Sequence, residues 1–149
     1  MPAKFEKLGI AFQYPDNWTL EEEDAQVGRG SVTVYSPGGA FWSVTVHPQD
    51  VDPDDLARAA VDAMKDEYDE IEAERAAETI AGHRMIGYDL NFYCLDLTST
   101  ACVRSLRTRR ATYTVFCQAE DRDFDELRAV FQAITASLLD GIEDPGAWD

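Results

Sequence analysis

Apolar and polar positions alternate most regularly between Arg84 and Ala119, where three runs rich in β-branched and aromatic residues follow one another. In the first run Ile86, Tyr88, Leu90, Phe92 and Cys94 fall on one side at period two, while Met85, Tyr93 and Leu95 fall on the other. Both sides are partly apolar, as expected of a sheet covered on each face. In the last run Tyr113, Val115 and Cys117 share a side and Phe116 takes the opposite one. The pattern predicts a meander of antiparallel strands as the core sheet.

Upstream, Ile10, Phe12 and Tyr14 mark a short strand that Pro15 and Asp16-Asn17 end. Trp18 to Glu22 reads as a second strand, leading into an acidic run, Glu21 to Asp24, that reads as a solvated loop. Val32–Tyr35 and Phe41–His47 flank Ser36-Pro37-Gly38-Gly39, which predicts a hairpin with Pro37 and Gly38 central in a type II turn. Asp52-Pro53-Asp54-Asp55 then opens a helix, with Asp52 as cap, Pro53 at the first helical position and acids at the positive dipole end. Its packing stripe is Leu56, Ala60, Ala63, Met64 and Tyr68. A second helix is predicted from Asp123 to Leu139, with Asp123 and Glu126 as a capping box and Gly141 as its stop. Phe124, Leu127, Phe131, Ile134 and Leu138 form its apolar face. Residues 71–80 stay open between helix, which Ala and Glu favour, and an edge strand before Gly82. The expected fold is α+β: an antiparallel sheet with helices on both faces, a three-layer α/β/α sandwich. The 149 residues read as one domain with a core of about 9–139 and a polar tail, 140–149, that carries Trp148.

Charge narrows the partners. The chain has 29 acidic residues against 13 Lys plus Arg, a formal net charge of −16, which repels phosphate backbones and anionic lipid. No nucleic acid and no membrane surface is expected as a partner. The opening MPAKFEKLGIAFQYP lacks an apolar signal core, so a cytoplasmic location is expected. Cys94, Cys102 and Cys117 have no C-x-x-C spacing and read as free thiols acting as small buried hydrophobes. His47 and His83 offer no zinc spacing, and no metal or cofactor is expected. There is no G-x-S-x-G, phosphate loop, G-x-G-x-x-G or H-E-x-x-H. The pairs Asp54-Asp55 and Asp123-Asp125 lie at helix starts, where capping accounts for them. No catalytic residue is assigned.

One cluster stands out in this acidic chain. Arg104, Arg107, Arg109 and Arg110 place four of the 13 basic residues within seven positions. Guanidinium groups grip carboxylate or phosphate in a bidentate fork, so these residues are candidates for binding an acidic partner or small anion. The competing reading, favoured here, pairs them with the chain's own acids. Arg107 and Arg109 share a strand face by parity, and the absence of Asn-Gly or Gly-Gly disfavours a tight primed turn.

The order of elements also resembles a known family. Gly9-Ile10-Ala11-Phe12 with Tyr14-Pro15 and Trp18, the Ser36-Pro37-Gly38 turn, the Ile80-Ala81-Gly82 step and the closing Phe131, Ile134, Ser137 and Leu138 are similar to the PsbP-like superfamily. That group includes the photosystem II extrinsic P subunit, Mog-type Ran-binding factors and bacterial proteins of unknown role. The resemblance runs over roughly Gly9 to Leu139 and implies a binding or assembly role rather than catalysis. Many relatives carry export signals, and no metal- or partner-binding residue of the photosystem subunit has a counterpart here. The expectation is a non-enzymatic binding or adaptor module that holds a protein partner. The alternative is a small-molecule binding protein or enzyme with a pocket between sheet and helix, lined by residues such as Tyr88 and Tyr113.

Overall fold

In the computed structural model, which describes residues 2–23 and 30–142, the alternating runs form strands and the runs of helical period form two helices. β1 (Pro2–Lys7) and β2 (Ile10–Pro15) pair as a small antiparallel sheet of their own. The larger sheet contains β3 (Thr19–Glu23), β4 (Gly30–Tyr35), β5 (Phe41–Pro48), β6 (Ile71–Ile80), β7 (His83–Cys94), β8 (Leu97–Arg107) and β9 (Ala111–Glu120). Their spatial order is β3-β4-β5-β9-β8-β7-β6, and every neighbouring pair is antiparallel. The expected meander is thus β7–β8–β9. The open stretch 71–80 is an edge strand, because its backbone pairs with β7 along its whole length. β9 joins the meander to the N-terminal strands through β5, with Val44 opposite Val115.

α1 (Pro53–Glu67) begins as its sequence predicts: the Asp52 carboxylate accepts from the Asp54 amide at 2.9 Å and Pro53 takes the first turn. Its buried face is Ala57, Val61 and Met64, one step round from the predicted stripe, and Ala63 is exposed. α2 (Asp121–Asp140) starts two residues earlier than expected, with Glu120 as N-cap and no side-chain cap bond. The Asp123–Glu126 capping box therefore does not form; both residues are already inside the helix. The predicted face holds, with Phe124, Phe131, Ile134 and Leu138 buried and Leu127 half-buried.

Alternate residues of the central strands serve two cores. Tyr113, Val115 and Cys117 of β9, with Trp42 of β5 and Phe12 of β2, pack against Phe131, Ile134 and Leu138 of α2. Leu90, Ala101 and Val103 of β7 and β8 pack with Val61 and Met64 of α1, and Phe116 joins them from β9. Trp42 lies fully buried, its indole nitrogen donating to the Thr135 hydroxyl at 2.9 Å, so its one polar atom is satisfied. At the β4–β5 hairpin the left-handed residue is Gly39 (φ 95), not Gly38 as a type II turn would need. The Gly39 amide donates to the Ser36 carbonyl at 3.1 Å, so glycine serves one position later, as a bulge. Asp24 of the predicted acidic loop and most of the predicted tail, including Trp148, lie outside the described residues.

Candidate functional site

β6 and β7 present a polar face beside α2. The residues pointing to that side are Glu74 and Glu78 on β6 and Asp89 and Asn91 on β7, with Thr100, Cys102 and Arg104 next to them on β8. α2 covers β9 and overhangs β8, so its edge and these strands enclose an open cleft of about 380 Å³. Arg128, Gln132 and Thr135 line the helix side. A volume in this range suits a small ligand.

Arg104 lies at the floor. Gly87 stands opposite it in register, and a Cβ built on Gly87 would come within 1.8 Å of the Val103 carbonyl oxygen. The strands approach closely there because glycine has no side chain, and the arginine reaches past β7. Its Nε donates to Glu78 at 3.0 Å and its Nη2 to Asp89 at 2.7 Å. Nη1 donates to the carbonyls of Tyr88 and Val103, each at 3.0 Å. Burial lowers the Arg104 pKa, but the bond and charge of Asp89, with smaller contributions from Cys102 and Glu78, outweigh it and the net shift is upward. One fixed cation therefore serves two carboxylates. Glu74, directly opposite Asp89 across the strands, makes no ion pair among the described residues.

Cys102 and Cys117 are cross-strand partners in the same cleft, and both are free. A hydrogen bond with Cys102, and then burial, push the Cys117 thiol well above its ordinary range, which disfavours the thiolate a nucleophile needs. The side chain of Cys94 lies outside the described residues.

The four arginines singled out in the sequence do not form one site. Arg104 turns into the cleft and is buried. Arg107, of opposite parity, donates to the Val51 carbonyl at 3.0 Å and ties the β8 end to the loop before α1. Arg109 and Arg110 sit in the β8–β9 connection, beyond the last paired residue, so the strand parity expected for Arg109 does not apply. Neither has a positive φ; the Thr108 hydroxyl closes the turn by accepting from the Arg110 and Ala111 amides at 3.3 Å. Neither of the tyrosines expected to line a sheet–helix pocket lines this cleft. Tyr88 packs with the α1 core and bonds Arg75, and Tyr113 is buried away from the cleft. Glu74, Glu78 and Asp89 were missed because only the β6–β7 register unites them. The available signal was the run of acids at even spacing, Glu72, Glu74 and Glu78, in a stretch that could be an edge strand. Among the described residues no group of three or more His, Cys, Asp or Glu is placed to hold a metal ion, and no helix is long and apolar enough to cross a membrane.

No protein-family model matches the chain, and no curated protein sequence matches it. Solved structures do. Cyanobacterial PsbP from Synechocystis superposes with a TM-score of 0.61 at 17% identity, covering 92% of this chain and 89% of that one. A protein of unknown function from Pseudomonas aeruginosa gives 0.53 at 12% identity, covering 92% and 95%. A protein from Bacteroides thetaiotaomicron gives 0.59 at 14% identity, covering 90% of this chain but 46% of its own. The fold is PsbP-like and α+β, with an antiparallel sheet.

Proposed function

We propose that this chain is a binding module without catalytic chemistry, and that its binding site is the cleft between α2 and β6–β9. The observation that carries the reading is the convergence of charges of both signs in one concave site: Arg104 and Arg128 with Glu74, Glu78 and Asp89. Fixed polar groups at the mouth of a partly apolar cleft are the usual way a site orients a small ligand. The Cys117 thiol, buried and hydrogen-bonded with Cys102, is pushed well above its ordinary range, which supports binding over nucleophilic catalysis by that sulfur. The reading carries with it a three-layer sandwich with helices on both faces, supported by the way β8 and β9 divide their residues between the two cores. Native mass spectrometry of the protein purified from its own cells tests the site. The wild type should carry a small non-covalent adduct that a Gln132→Trp variant, with the cleft filled, lacks. An adduct retained by that variant would place the ligand elsewhere.

A second reading keeps the protein partner. At the β7–β8 tip Tyr93, Leu95 and Leu97 are 58%, 91% and 44% exposed. An adjoining groove of about 500 Å³ is lined by Asp69, Glu70, Glu72 and Asp121. That combination fits a partner segment carrying apolar residues flanked by Lys or Arg. Leu95→Asp should abolish capture of such a partner while leaving the cleft adduct in place. Unchanged capture would count against the tip.

A further inference from the structure

The cleft is electrically divided. Its strand wall carries Glu74, Glu78 and Asp89, and Arg104 is committed to the last two. Glu74 faces Asp89 directly across the β6–β7 pair, and like charges in that position repel. An unneutralised carboxylate therefore remains on this wall. The helix wall carries Arg128. Its guanidinium lies 5.1 Å from the centre of the Phe124 ring and makes no hydrogen bond or ion pair to a carboxylate among the described residues. Stacking on an aromatic face orients the fork and leaves its N–H edge free to donate. Gln132 and Asn91 add neutral amides, one on each wall. A purely anionic ligand would meet Glu74, and a purely cationic one would meet Arg128. A molecule bearing both charges satisfies both walls.

Resting on the reading of the cleft as the binding site, we infer that its ligand is a small zwitterion. The carboxylate of that ligand is held by Arg128, and its ammonium by Glu74 beside Asp89. Arg104 stays with its own acids and acts as a positioning residue: it holds Asp89 and sets the shape of the floor.

Matched probes separate the charges from the size. Titrations of isotope-labelled protein at low ionic strength, followed through the amide resonances of Asn91, Thr100 and Cys102, would compare γ-aminobutyrate with butyrate and butylamine. The six-carbon set, ε-aminohexanoate with hexanoate and hexylamine, extends the span. In at least one set the zwitterion should bind about tenfold or more tightly than either singly charged analogue. Arg128→Gln should reduce its affinity to that of the amine, and Glu74→Gln to that of the carboxylate. Added salt should weaken the zwitterion more than it shifts the free-protein spectrum. If a singly charged analogue binds at the cleft as tightly as the zwitterion, or if both variants bind it unchanged, the zwitterion assignment falls while the cleft stands as a site. If none of the six compounds moves the cleft resonances, the zwitterion assignment falls as well. The adduct experiment with Gln132→Trp then decides separately whether the cleft binds anything.

Discussion

Gly87 shows how one missing side chain organises the site. Its Cβ position lies 1.8 Å from the Val103 carbonyl and 3.2 Å from the Arg104 Cα, both backbone atoms that cannot swing away. Gly87→Ala must part β7 from β8, weakening the ladder and displacing the arginine that bridges Glu78 and Asp89. A loss on the order of 3 kcal/mol in urea melts is expected; a loss under about 0.5 kcal/mol would show that the strands relax without consequence. His83 supplies a second residue-scale prediction. It is buried, and its Nε2 has no partner among the described residues. Burial lowers its pKa below the ordinary 6.5, an effect that the charge of Asp140 only partly offsets. The unfolded chain therefore takes up a proton more readily than the folded one as pH falls through 6.5. Stability should decline from about pH 7 toward pH 5.5, and His83→Leu should flatten that slope. An equal slope in the variant would assign the decline to other groups.

At the scale of elements, the strands and helices were legible wherever one residue in two, or three to four, met a core. That condition holds for β7, β9 and the α2 face. It fails for β1, where only Phe5 is buried and the other residues are half-buried or exposed, so the alternation carries little hydrophobic signal. It fails also at the start of α2: Asp121 and Asp123 both suit a first turn, and the sequence does not say which acid lies outside it. The β7–β8 turn is another case in which local chemistry and structure disagree. Leu95 (φ 52) and Asp96 (φ 65) are both left-handed, as a two-residue hairpin loop requires, although neither is glycine or asparagine. Leu95 is almost wholly in water, so replacing it forfeits no burial. Leu95→Gly should stabilise the hairpin by about 1 kcal/mol through relief of the Cβ clash. A destabilised variant would mean that the leucine makes a contact its exposure conceals. Should the tip hold a partner, the same substitution would weaken that complex, and the opposite signs would separate an element's strain from its use.

For the whole molecule, the α+β class with an antiparallel sheet was readable from periodicity, and the PsbP-like resemblance agrees with the fold, whereas the cleft was not readable. Glu74, Asp89, Arg104 and Arg128 come from three strands and a helix, and they meet only through register and the lateral placement of α2. The net charge of −16, by contrast, is plain in the sequence and acts on the folded state as a whole. Folding gathers most of these charged side chains into a small volume, so the excess carboxylates repel one another more strongly than in the extended chain. Most of the ion pairs among the described residues, such as Lys4–Glu6 and Arg122–Glu120, involve well-exposed partners and offset this repulsion weakly. The field is long-ranged at low ionic strength, where the Debye length is about 30 Å at 0.01 M, and is screened to about 3 Å at 1 M. The thermal unfolding midpoint should therefore rise as sodium chloride is added, by several degrees, with most of the gain complete by about 0.5 M, where exposed charges are already largely screened. The Arg104 bridges, buried on the arginine side only, are screened less than fully exposed pairs and should not reverse the trend. Potassium chloride should reproduce the curve, because screening depends on ionic strength and not on the cation. A flat or falling midpoint would show that self-repulsion is not a significant cost to this fold. A gain that continues linearly into molar sulfate but is absent in chloride would assign the effect to strengthened apolar burial instead.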